Sequence, residues 1–138
     1  MNTANGLVLW QNSTALGAWA NANGRDGIQV NGVCAVNWAS AFGNGTTAAD
    51  GAGIRVNGDK NRIERTTVKL NDVGIKAGGM NNLIIGNAAG GNTLGNFDAA
   101  PGNTVGPSVT RRTSRPTPTP MVITNRSIGC AARSYGEG

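Results

Sequence analysis

Histidine is absent from this chain of 138 residues, and only two cysteines, Cys34 and Cys130, are present. Without imidazole there is no His-based general acid or base, no Ser-His-Asp or Cys-His nucleophile, and none of the common zinc sites. No window carries the i, i+3, i+4, i+7 apolar stripe of an amphipathic helix. The glycine density would also cost any helix about 1 kcal/mol per glycine relative to alanine. Helical repeats are therefore excluded, and neither a cofactor nor a membrane span is expected.

Charge and proline are unevenly placed. The first 107 residues hold seven Lys/Arg and six Asp/Glu, a net of +1, whereas the last 31 hold five Arg and one Glu, a net of +4. All five prolines lie at or after Pro101, while 19 of the 22 glycines precede residue 108. The basic pI is thus mainly a property of the tail, where scattered Arg without interleaved aromatics give no specific nucleic-acid signal. Two regions follow: 1–107, which is patterned, and 108–138, a Pro/Arg-rich tail expected to be disordered, with at most one strand at Met121–Thr124.

What is abundant is self-similarity. GIRVNGDKNRI…TTVKLN, starting at Gly53, recurs as GIKAGGMNNLI…NAAGGN, starting at Gly74. A third copy begins at Gly27 and a weaker one at Gly6. Ile54 then pairs with Ile75, Val56 with Ala77, and Ile63 with Ile84. Such a period signals a solenoid whose units bury their faces only by stacking. Within each copy the apolar residues stand two apart and are interrupted by Asn-Gly or Gly-Gly, which favours short strands and tight turns. The unit fits one turn of a parallel β-helix, with coils stacked roughly 4.8 Å apart.

The segments GIQVNGVCAV, GIRVNGDKNRI and GIKAGGMNNLIIGNAAGGNT resemble the coils of right-handed parallel β-helix repeat proteins, the pectate-lyase-like superfamily. The resemblance spans about residues 6 to 107. It implies an all-β, right-handed, single-stranded parallel β-helix of about four to five coils, from an extracellular or cell-surface protein. Met1 is followed by no basic segment and no apolar run, so the expectation is a C-terminal fragment whose cap and export signal lie upstream.

Candidate residues fall into three sets. Asn23, Asn44, Asn71 and Asn92 occupy one register position, where stacked amides can bond one another and turn carbonyls as a structural ladder. Gln29, Arg55 and Lys76 are the outward residues of the first strand in successive coils. They read either as a cationic strip for an acidic polysaccharide or as solvated charges that keep an exposed sheet from pairing. Trp10 and Trp19 read as covers for an open end of the solenoid, with sugar stacking as the other reading.

Cys34 takes the place held by Asn61 and Asn82 in later coils and reads as a small buried side chain. A Cys34–Cys130 disulfide would require access to a sequestered thiol. The Gly45–Ala52 insertion is expected to bulge from one face, with Asp50 as a turn residue.

The resemblance also bears on chemistry. Polygalacturonase-like and alginate-epimerase-like members rely on His-containing motifs that are missing here. Pectate-lyase-like members use calcium on a carboxylate cluster with an Arg as base; Arg55 could mimic the Arg, but Asp59, Glu64 and Asp72 lie elsewhere around the coil. No catalytic or metal-binding residue is assigned, and ice binding is excluded because Thr66 and Thr67 meet Asn87 and Ala88. The expectation is a non-catalytic module, structural or carbohydrate-associated. The alternative is a fragment of a polysaccharide lyase or hydrolase. Open ends imply end-to-end or edge self-association.

Overall fold

The computed structural model describes residues 2–47 and 49–111 and contains fifteen short strands without a helix. Coil one comprises β1 (Leu7–Trp10), β2 (Thr14–Leu16) and β3 (Trp19–Asn21); coil two β4 (Ile28–Asn31), β5 (Ala35–Asn37) and β6 (Ser40–Phe42). Coil three comprises β7 (Ala52–Val56), β8 (Arg62–Glu64) and β9 (Thr67–Lys69); coil four β10 (Val73–Ala77), β11 (Leu83–Ile85) and β12 (Ala88–Gly90). Coil five comprises β13 (Gly95–Ala99), β14 (Thr104–Val105) and β15 (Val109–Arg111).

Corresponding strands join into three parallel five-stranded sheets, β1-β4-β7-β10-β13, β2-β5-β8-β11-β14 and β3-β6-β9-β12-β15. This is a parallel β-solenoid of five turns. Among the described residues no helix is long and apolar enough to cross a membrane.

The side-chain alternation of a strand decides the core. Each short strand sends one or two side chains inward, and the vertical register places like on like. Leu7, Ile28, Ile54, Ile75 and Phe97 form one column of the first sheet. Ala15, Val36, Ile63 and Ile84 form another in the second sheet, and Ala20, Ala41, Val68 and Ala89 a third in the third. Ile28, Ile54, Ile63 and Val68 are fully buried, whereas Ala99 in the top coil is exposed.

The corners turn by one repeated device. A residue with positive φ precedes each inward corner position: Asn12, Val33, Lys60 and Asn81 at the first corner, Trp38 and Arg65 at the second, Ala22 and Leu70 at the third. Left-handed backbone in bulky residues is strained and persists only where the surroundings fix it. Here the next side chain fixes it, because that side chain must enter the stack.

At the third corner the entering residue is the predicted asparagine. The Nδ2 of Asn23 donates to Oδ1 of Asn44 (2.8 Å), that of Asn44 to Asn71 (2.9 Å), and that of Asn71 to Asn92 (3.1 Å). The backbone N–H of each lower residue donates to the same oxygen. Each upper amide also donates back to a carbonyl below, as Asn71 does to Ala41 at 3.2 Å. Asn2 extends the ladder downward, donating to Asn23.

A second ladder, not expected from the sequence, runs up the first corner from Cys34 through Asn61 and Asn82 to Asn103. A shorter one at the second corner joins Thr66 to Asn87. No buried side-chain nitrogen or oxygen among the described residues lacks a partner. Full satisfaction matters here, because an unpaired buried polar group costs about 1–3 kcal/mol.

The stack continues to Arg111 through β15, which pairs with β12. One expectation changes. Trp10 and Trp19 do not cover an end of the solenoid: both point sideways from their strands and are 67% and 76% exposed. A strand leaves alternate residues facing out, and in these coils the large aromatics fall on that phase. The Met121–Thr124 strand, the remainder of the tail and Cys130 lie outside the described residues. Cys34 is buried and free, with Sγ 3.1 Å from the Trp10 carbonyl oxygen and 3.0 Å from that of Gly32.

Candidate functional site

The outer face of the first sheet carries Gln29, Arg55, Lys76 and Asp98 in one register column, bringing the three expected residues together. The insertion after Asn44 decides their electrostatics. Its start is pinned to coil one, with the backbone N–H of Gly45 and Thr47 donating to carbonyls of Asn23, Arg25 and Gly24. Its end carries Asp50 across the sheet face.

Arg55 is clasped from two sides. Its Nε donates to Oδ2 of Asp26 at 2.7 Å, and its Nη2 lies 2.6 Å from the Asp50 carbonyl oxygen and 3.4 Å from Asp50 Oδ2. The Asp26 side chain is almost fully buried, and its other oxygen accepts the Ala52 N–H at 2.8 Å. Lys76 Nζ stands 3.4 Å from Asp50 Oδ2.

Titration follows from these contacts. Burial pulls the Arg55 pKa down, but the hydrogen bond and charge of Asp26, followed by those of Asp50, outweigh it and leave it raised. Asp50 is lowered, chiefly by the charge of Arg55 and then by the hydrogen bond from Lys76. The charges of this face are thus matched to one another. Gln29, Arg55 and Lys76 belong to a neutralised cluster, and Asp26 is its buried centre.

Beside the cluster is a cleft of about 410 Å³ lined by Arg25, Asp26, Gln29, Asp50, Arg55 and Asn57. It adjoins a second of about 430 Å³, on the first corner, whose walls include Asn31, Asn57, Asp59 and Lys60. The amides between them are linked: Asn5 donates to Gln29, Gln29 to Asn31 (3.0 Å) and Asn57 to Asn31 (3.3 Å). Such a row offers donors and acceptors to hydroxyl groups. No set of three or more His, Cys, Asp or Glu residues among the described residues is placed to hold a metal ion.

The sequence reading missed Asp26, Asn57 and the aromatics Trp38 and Phe42. The signal for Asp26 was its position directly before the repeat glycine, where later coils carry Ala52 and Val73. The described geometry defines the class as a parallel β-solenoid with a polar, charge-matched face. Comparison with protein-family models, curated proteins and solved structures finds no match.

Proposed function

We propose that the chain is a non-catalytic, right-handed parallel β-helix module of the pectate-lyase-like kind, a structural or carbohydrate-associated segment of a larger secreted or surface protein. The hand follows the general preference of connections between parallel strands. The observation that carries the non-catalytic reading is the state of Arg55. An Arg acting as base must give up its proton, and this one is held protonated by Asp26 and Asp50 with its pKa raised.

The amide row from Gln29 to Asn57 supports contact with a hydroxyl-rich polymer, and an acidic polysaccharide is the partner class proposed. Vertical stacking of open ends supports end-to-end self-association as a second property. The lyase or hydrolase fragment is tested directly by incubating the chain with polyuronates, with and without calcium. We expect no unsaturated or reducing product; release of either by this chain would overturn the non-catalytic reading.

A further inference from the structure

The third sheet and the corner before it carry open aromatic surface beside excess positive charge, a combination absent from the first-sheet face. Trp19 packs tilted against Phe42, with ring centroids 6.4 Å apart. Trp38, 61% exposed, lies under Arg65, whose Cζ is 5.3 Å from the ring centroid. The register sets Lys69 directly over Phe42.

Each aromatic of coil two therefore has a cation of coil three above it, about 4.8 Å up the axis. In the coil beneath, Gly17 follows Leu16 as Trp38 follows its own register partner Asn37, and a Cβ at Gly17 would meet nothing within 4 Å. No side chain rises from that position against the lower side of the indole.

Charge distinguishes the two faces. Arg65 and Lys69 give +2 here, with Arg62 and Glu64 of the adjoining second sheet cancelling, whereas Arg25, Arg55 and Lys76 against Asp26, Asp50 and Asp98 leave zero on the first sheet. Glu64 is committed to Arg62 at 2.7 Å and to Arg65 at 3.3 Å, and Lys69 makes no ion pair among the described residues.

We propose that this face, Trp19, Trp38, Phe42, Arg65 and Lys69, is a binding platform for an acidic oligosaccharide. The apolar C–H face of a pyranose stacks on an exposed indole, and its carboxylate is drawn to the cations one coil above. The proposal rests on the carbohydrate-associated reading but places the ligand on a different face.

The test uses the full chain, whose only tryptophans are Trp10, Trp19 and Trp38. Intrinsic fluorescence is titrated with oligogalacturonate and with its methyl-esterified counterpart, which keeps the ring and removes the charge. We expect saturable change with the acid form, weakened about tenfold in Trp19→Ala and in Trp38→Ala. In Arg65→Gln/Lys69→Gln the preference for the acid form disappears.

Binding lost in Lys76→Ala, on the first sheet, but kept in the tryptophan variants overturns this placement and leaves the carbohydrate reading standing on the first sheet. Equal affinity for the esterified form, or no binding at all, overturns the acidic-ligand inference while the polyuronate assay still decides the non-catalytic reading. Emission that shifts with protein concentration in the absence of sugar overturns it too, by showing the face covered by a second copy.

Discussion

Replacing Gly53 by alanine adds one methyl group at the point where the coils approach most closely. Gly6, Gly27, Gly53 and Gly74 stand in a column at the head of the first-sheet strands. A Cβ on Gly53 would lie 2.7 Å from Asn71 Nδ2 and 2.9 Å from the Gly74 carbonyl oxygen, whereas ordinary contact begins at 3.4 Å. The methyl is therefore 0.5 to 0.7 Å too close to two groups that cannot easily yield.

The carbonyl belongs to the next coil, held by hydrogen bonds along three sheets, and the amide belongs to the asparagine ladder. Overpacking of this sort costs about 1–3 kcal/mol, and disturbing a buried ladder bond moves the result to the upper half of that range. About 2 kcal/mol corresponds to a fall in Tm on the order of 10 °C for a domain of this size.

The chain supplies its own control. In coil five the equivalent of the column is Asn96, a full side chain, and no described coil lies above it; its Oδ1 accepts a hydrogen bond from Asn92. Gly95 and Gly78 are the matched alanine controls, since a Cβ at Gly95 meets nothing within 4 Å and one at Gly78 has its nearest neighbour at 3.9 Å. Neither has positive φ, so alanine there is expected to be neutral or slightly stabilising. Thermal melts followed by far-ultraviolet circular dichroism give the comparison. Equal midpoints for Gly53→Ala, Gly78→Ala and Gly95→Ala would refute the close-approach argument.

Two further outcomes are expected. Asn71→Leu removes the acceptor of the Asn44 N–H and Nδ2 and the donor to Ala41 and Asn92, so chemical denaturation should show a loss on the order of 3 kcal/mol; an unchanged midpoint would mean the ladder bonds are matched by hydration in the unfolded chain. Asp50 has its folded-state pKa lowered from an ordinary 3.8 by Arg55 and Lys76, so its contribution is present above that value and is lost as pH falls through the lowered one. With Asp50 exposed, the effect is small, and Asp50→Asn should flatten the acid limb of stability against pH only slightly; a variant whose acid limb matches that of wild type would remove Asp50 from the cluster.

The architecture was legible because stacking forces repetition. Ile28, Ile54 and Ile75 recur with their flanking glycines, and the third-corner asparagines recur with them, since each bonds to the asparagine of the next tier. The Cys34 ladder was half visible, because Asn61 and Asn82 align with a cysteine that joins only through its backbone N–H. The Asp26–Arg55 pair was not visible, because its partners are 29 residues apart and the insertion shifts the spacing away from the repeat.

The fate of the tryptophans was hidden for a different reason. Alternation tells which side chains of a strand share a side, but a large aromatic biases a reader toward the interior. In these coils the narrow core takes Ala, Val, Ile, Cys34 and small polar groups in its middle tiers, so indoles are sent out.

Because Asn23, Asn44, Asn61, Asn71 and Asn82 each donate from NH2 to an amide oxygen of the tier above and accept at their own oxygen from the tier below, one tier can seat on another of the same kind. Excising residues 61–81 would join Lys60 directly to Asn82 and leave all three sheets in register. Such a molecule changes length in whole storeys, while the stretch between Asn44 and Ala52, which hangs outside the masonry, can vary by single residues.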